Sequence, residues 1–258
     1  MFEGKYFLFT LDKGIGILTL NRPPYNIFEA GFYTELEEVE THISGQEGIR
    51  CLIINANGKC FSAGIDLNYL QNVSSAYVLQ KLPGLQRIYG FWQEQNYPVI
   101  AAVQGLCTGS GLEFILGADI RIAAEDARFS LPEVQLGLSP DMGGTSRLTR
   151  LVGVGQAKRM IIAGEEIPAE EALRIGLVEV VVPLEELNGR AMKMAKTIAR
   201  SPEAAVRFAK KGVNLTDEGG LRAGQIFEQA QSTYCCGTQD LQNAVAAYKA
   251  MISARSKK

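Results

Sequence analysis

Two carboxylates stand in surroundings unusually apolar for charged residues: Glu113 within SGLEFILG and Glu133 within FSLPEVQLG. Acids in such settings are uncommon. Burial disfavours the ionised form and raises a carboxyl pKa, which suits a group that gives or takes a proton near neutrality. Both would equally serve as first-turn acids that stabilise a helix dipole, so the residues alone leave both readings open.

Two glycine-rich loops are the other places where chemistry could gather. Gly58-Lys59-Cys60-Phe61-Ser62-Ala63-Gly64-Ile65-Asp66 and Gly105-Leu106-Cys107-Thr108-Gly109-Ser110-Gly111 each follow a predicted strand, and the second opens directly into a helix. Small residues let backbone amides approach a ligand, and amides at a helix N-terminus offer partial positive charge to an anion or a developing oxyanion. Neither loop fits the dinucleotide pattern G-x-G-x-x-G or the phosphate loop G-x-x-x-x-G-K-[ST]; a pair of tight turns is the plain alternative. The single histidine, His42, lies on a predicted surface helix and reads as a solvated side chain. Ser-His triads and histidine metal sites thereby lose their central residue.

The elements that must hold these residues emerge from hydrophobic spacing. YFLFTL (6–11) and IGILTLN (15–21) read as a hairpin that ends in the turn Asn21-Arg22-Pro23-Pro24-Tyr25-Asn26. Phe28, Phe32, Leu36, Val39 and Ile43 recur at helical spacing before a stop at Gly45. Strands are predicted at 51–56, 99–103, 119–124 and 177–182, and helices around 76–95, with an interruption at Pro83, and near 155–163 and 168–175. VIAAV (99–103) is the short unbroken apolar run of a strand covered on both faces. Alternation of this kind argues for an α/β layered core. From Leu184 onward no strand signal remains, and the tail reads as a helical lobe with apolar faces such as Ala205, Phe208, Ala209 and Val213. Trp92 reads as a packing residue.

The chain has 258 residues, 47% hydrophobic and 21% charged, with a formal charge of -2. This is a globular composition, with room for one large core and a smaller attached lobe. Without a basic stripe, a nucleic-acid partner would lack its main source of affinity. No apolar run nears the ~20 residues of a membrane span, and MFEGKYFLFTLDKG is too interrupted by charge for a signal peptide. Five cysteines (Cys51, Cys60, Cys107, Cys235, Cys236) with no C-x-x-C pair argue against a disulfide framework or zinc ribbon, and point to a reducing cytoplasm.

Taken in order, LTLNRPPYN (18–26), FSAGIDL (61–67), PVIAAVQGLCTGSGLE (98–113), ADIRIAAEDARFSLPEVQLGLSPDMGGTSRLTRLVG (118–153) and ALRIGLVEVVV (172–182) resemble the enoyl-CoA hydratase/isomerase (crotonase) superfamily over nearly the whole chain. The resemblance implies an α/β fold, a spiral of ββα units spanning 1–183, with a helical lobe at 184–258 used in a homotrimer or a dimer of trimers. It implies an acyl-CoA thioester substrate and neither metal nor redox cofactor. The thioester oxygen would accept hydrogen bonds from the amides of Ile65 and Ser110, donors worth roughly 3 to 4 kcal/mol each against developing charge. Glu113 and Glu133 match the two catalytic glutamates, one activating water and the other exchanging a proton at C2. Lys59, Ala63, Gly64, Asp66, Leu67 and Gly109 would line the CoA and acyl path, with Lys59 and Ala63 near the nucleotide end.

The sequence departs from a typical hydratase at Ser110, where glycine is usual, at P-D-M-G-G and at G-T-Q-D-L-Q-N. The last two resemble the dienoyl-CoA isomerases of the superfamily, which carry an aspartate at the position of Asp141, although Glu113 stands where those carry aspartate. Asp141 either caps the turn or helix starting at Met142-Gly143-Gly144 or moves a proton at a distal acyl carbon. Reversible hydration of a 2-enoyl-CoA is the leading expectation, double-bond isomerisation the alternative, and a silent acyl-CoA binder a third, against which both glutamates weigh.

Overall fold

The computed structural model describes residues 1–255. Along the chain come β1 (Phe2–Glu3), β2 (Phe7–Asp12), β3 (Ile15–Leu20), α1 (Ala30–Ser44), β4 (Cys51–Ala56), α2 (Leu67–Gln71), α3 (Ser75–Glu94), β5 (Val99–Val103), β6 (Leu106–Thr108), α4 (Ser110–Ile115), β7 (Ile120–Ala124), β8 (Arg128–Ser130), α5 (Gly144–Ile162), β9 (Ile167–Pro168), α6 (Ala169–Arg174), β10 (Val180–Val182), α7 (Leu187–Ala199), α8 (Glu203–Cys236) and α9 (Gln239–Arg255). Seven strands form one sheet in the order β1-β2-β3-β4-β5-β7-β10, and β6-β8-β9 form a second, smaller one. The expected hairpin is β2 against β3, antiparallel with Phe7 opposite Leu20; β3, β4, β5, β7 and β10 then run parallel. The chain is thus α/β with a helical C-terminal segment.

Alternation along the strands divides the core. Leu52, Ile54, Val99, Ala101 and Val103 face a layer built from α1, α3 and α4. Ile53, Ile100, Ala102 and Ile122 face the other way, onto Leu187, Ala191 and Ala195 of α7, which recur every four residues on one helix face. β5 is buried at all five positions, as its unbroken apolar run predicts. Trp92 is fully buried and packs edge-on to Phe114.

Several local expectations are corrected. α3 runs straight through Pro83. The proline removes one amide donor, but it lies on the exposed side while Ile88, Tyr89 and Trp92 anchor the helix to the core. α5 starts at Gly144, well before the predicted 155, and turns at Gly153, whose φ is +78°. Its first half hides from periodicity because Leu148 is its one fully buried large side chain there. His42 is half-buried between the rings of Phe2 and Phe9 and is not simply solvated. Among the described residues no helix is long and apolar enough to cross a membrane.

Candidate active site

The small sheet brings the chemistry together. β6 and β8 run parallel with Thr108 opposite Ser130, and the two hydroxyls lie 2.7 Å apart. Parallel strands end on the same side, so the segments leaving β6 and β8 arrive at one place. After β6 come Gly109 and α4, which carries Ser110 and Glu113; after β8 come Leu131, Pro132 and Glu133. The Gly109 amide donates to the Ser130 carbonyl at 2.9 Å and ties the two exits together.

The loop after β4 is laced onto β6. Phe61 N donates to Gln104 O (2.7 Å), Ser62 N to Leu106 O (2.9 Å) and Thr108 N to Ser62 O (3.1 Å). Ser62 Oγ, fully buried, donates to Asn26 O at 2.7 Å and accepts from Gly64 N at 3.0 Å. On the other side Phe28 N donates to Gly64 O and Asp66 N to Phe28 O, which leaves the Ile65 amide between them turned the opposite way. Gly64 has φ +85°, and a methyl group there would fall 2.8 Å from Thr108 O and 3.7 Å from Ser110 N. Only glycine permits that approach. The amides of Ile65 and Ser110 thus come from adjoining loops, and neither donates to any acceptor among the described residues. Ser110 N is one of the free donors that open α4.

Glu113 is 2% exposed, and its Oε1 accepts from Met142 N and Gly144 N, both at 2.9 Å. Of the two readings left open, the helix-end role is realised in position, since Glu113 lies in the first turn of α4, and its carboxyl also serves the start of α5. Burial pushes its carboxyl up to about 7, assisted by repulsion from Glu133 and Asp141 and opposed by the two amide bonds. Glu133 begins a 3-10 turn at residues Glu133–Leu136. Burial raises it to about 7 as well, with Asp141 adding repulsion, and its Oε2 is buried without a hydrogen-bond partner. Its Oε1 lies where a methyl on Gly109 would come within 3.1 Å, so the acid stands directly beside the turn into α4.

Asp141 does not cap α5. The cap position is Gly143, without a side-chain bond, and the amides to be satisfied are taken by Glu113. The Asp141 carboxyl is raised, chiefly by burial and against a bond from its own amide, while its carbonyl accepts from Gln86 Nε2 at 2.7 Å. Asp66 caps α2, accepting from Asn68 N and Tyr69 N. Leu67 is 61% exposed, Lys59 is exposed, and Ala63 is half-buried. A cavity of about 550 Å³ bordered by Ala118, Arg147, Lys210 and Val213 has neither glutamate in its wall.

Sequence reasoning missed the residues that hold this arrangement. Asn26, 2% exposed, donates to Asn57 O and Cys60 O and accepts from Arg22 N, fixing the loop that bears Ile65. Its signal was present in NRPPYN, which reads as a hairpin end and as part of a resemblance motif, neither of which assigns Asn26 a role. Tyr33 and Tyr89, whose hydroxyls are buried beside Ser110, gave no signal because aromatic residues at helical spacing read as core.

A sequence model of the family described as enoyl-CoA hydratase/isomerase matches residues 10–254. The chain is 35% identical over 239 residues to a crotonyl-CoA hydratase of Syntrophomonas wolfei, covering 92% of each chain. It is 35% identical over 237 residues to a 2,3-dehydroadipyl-CoA hydratase of Escherichia coli, covering 90% of this chain and 91% of that one. A crystal structure of an enoyl-CoA hydratase from Bacillus anthracis superposes with a TM-score of 0.89 at 32% identity, over 95% of this chain and 96% of the other.

Proposed function

Because the chain belongs to the enoyl-CoA hydratase/isomerase family and is an enoyl-CoA hydratase, we propose that it adds water reversibly across the 2,3 double bond of an enoyl-CoA using Glu113 and Glu133 against the amides of Ile65 and Ser110. One observation carries this reading: two carboxyls, both held near 7, stand beside a pair of amides with no acceptor of their own. Near neutrality one carboxyl can be ionised while the other keeps its proton. The ionised one takes a proton from water as its oxygen bonds to C3, and the protonated one delivers its proton to C2. Between these events negative charge gathers on the thioester oxygen, where two preorganised donors contribute roughly 3 to 4 kcal/mol each. No step calls for a metal or a redox group.

CoA would enter past Lys59 and Ala63, with Gly64 and Gly109 allowing close approach and Asp66 and Leu67 leading to the acyl end. Residues 1–183 would form the catalytic core and 184–258 a lobe for assembly as a homotrimer or dimer of trimers. Exposed Val213, Leu221, Ile226, Val245 and Tyr248 on α8 and α9 support such a contact. Five unpaired cysteines suit a cytoplasmic setting. A second reading, shift of a double bond, is favoured by Asp141, which is not a cap and perturbs both glutamates. Product analysis after incubation with crotonyl-CoA and, separately, a 3,5-dienoyl-CoA decides between them. Formation of 3-hydroxybutyryl-CoA is expected; binding without turnover of either would refute the enzymatic reading. Sedimentation should give a trimer or hexamer, and a stable active monomer would refute the assembly.

A further inference from the structure

α3 meets the loop that seats Glu113 through two glutamines. Gln86 and Gln93 lie seven residues apart, close to two full turns, and so on one face of α3. Gln86 Nε2 donates to Asp141 O at 2.7 Å. Arg147 Nε donates to Gln93 Oε1 at 3.2 Å, and Arg147 Nη1 donates to Met142 O at the same distance. The Gln93 amide is held in that sense by Glu218 of α8, whose carboxylate accepts from its Nε2 at 2.9 Å. Gly90, between the two glutamines, makes room: a methyl group there would fall 2.9 Å from Arg147 Nη2. The successive carbonyls of Asp141 and Met142 are thus both gripped from α3, one directly and one through Arg147.

The carbonyl of Asp141 and the amide of Met142 are opposite ends of one planar trans peptide group. Fixing one end aims the other, and a hydrogen bond accepted by the carbonyl polarises the N–H that donates onward. That N–H donates to Glu113 Oε1 at 2.9 Å. The second amide on Glu113, Gly144 N, has the same arrangement but is self-sufficient: its peptide carbonyl, Gly143 O, accepts from Arg147 N at 2.7 Å at the start of α5. The Met142 amide lies ahead of that helix, and its orientation is supplied from outside by Gln86, an exposed residue with no hydrogen bond to either glutamate among the described residues. We propose that Gln86 is a positioning residue for hydration, holding the Asp141–Met142 peptide so that its amide stays on Glu113, with Gln93 bracing the following carbonyl. This rests on the role given to Glu113 under Proposed function.

The other groups that act on Glu113 are Glu133, Asp141, Arg147 of α5, and the phenols of Tyr33 on α1 and Tyr89 on α3; Gln86→Met leaves all of them in place and removes one neutral donor. The Met142 bond favours the ionised carboxyl, so weakening it should move the titration of Glu113 upward, by roughly half a pH unit. Carbon-13 NMR titration of the Glu113 carboxyl, assigned by its absence in Glu113→Gln, reads this without turnover. With crotonyl-CoA, kcat should fall roughly tenfold while KM stays. Gln86→Lys keeps a donor and adds positive charge, so it should restore kcat and titrate no higher than wild type. A methionine variant that titrates as wild type, even one of lower melting temperature, would overturn the proposal, as would a lysine variant shifted upward like it. A shifted titration in a protein that turns over no enoyl-CoA would keep the hold on Glu113 and sink the hydratase reading; turnover with an unmoved titration would do the reverse.

Discussion

Replacing Glu113 by glutamine should make the protein more stable above neutral pH while removing its activity. Glu113 is 2% exposed and its carboxyl is lifted from 4.5 to about 7, mainly by burial. A raised carboxyl contributes its full stability below the unfolded value near 4.5, and that contribution is lost as pH rises through about 7, because the folded chain then holds a charge it disfavours. The displacement corresponds to about 3 kcal/mol at pH 8. Glutamine stays neutral throughout and keeps Oε1 for the amides of Met142 and Gly144. Relative to wild type, Glu113→Gln should therefore gain about 2 to 3 kcal/mol between pH 5 and pH 8. Glu113→Ala, by contrast, strands both amides, at about 1 to 3 kcal/mol each. Urea unfolding at pH 5 and 8, at one protein concentration, reads the difference. A glutamine variant with the wild-type pH slope, or less stable than wild type at pH 8, would refute the electrostatic reasoning.

The same geometry sets other outcomes. The pH profile of kcat/KM should be bell-shaped about neutrality, its two limbs belonging to the coupled pair Glu113 and Glu133; a flat profile from pH 5 to 9 would remove both from proton transfer. Asp141→Asn withdraws a charge that raises both glutamates, so both limbs should move to lower pH, and any conversion of a 3,5-dienoyl-CoA should disappear; unmoved limbs in a pH titration would contradict this. Gly64→Ala places a methyl 2.8 Å from Thr108 O at φ +85°; prising the two loops apart should lower kcat on the order of a hundredfold, the loss of one oxyanion donor, and wild-type kinetics would show that the loops need no such contact.

Much of the scaffold was legible because it repeats a simple physical pattern. β5 is apolar at every position and lies buried on both faces; the hairpin of β2 and β3 alternates; Gly45 ends α1. The small sheet was not legible, since β6, β8 and β9 span two or three residues and carry no period. That sheet nonetheless brings Ser110 and Glu133 together. Glu113 and Glu133 stood out as acids in apolar runs, but the partners of Glu113 could not be foreseen: the amides of Met142 and Gly144 lie some thirty residues away and are backbone groups, invisible to residue type. The cap suggested for Asp141 failed for the same reason, because a distant side chain already satisfies those amides. Ser62 and Asn26 look like ordinary loop residues, and only the fold shows them buried between the two glycine loops.

The most direct test of the central claim is the rate of crotonyl-CoA hydration by the wild-type protein, Glu113→Gln and Glu133→Gln, measured at neutral pH on samples whose folding is verified by thermal unfolding. On the proposed mechanism each carboxyl has its own proton to move, so each single substitution should lower kcat by about 10² to 10⁴, and the double substitution should fall far short of the product of the two losses, as expected of groups that act as a unit. Near-wild-type turnover by either single variant would contradict the account.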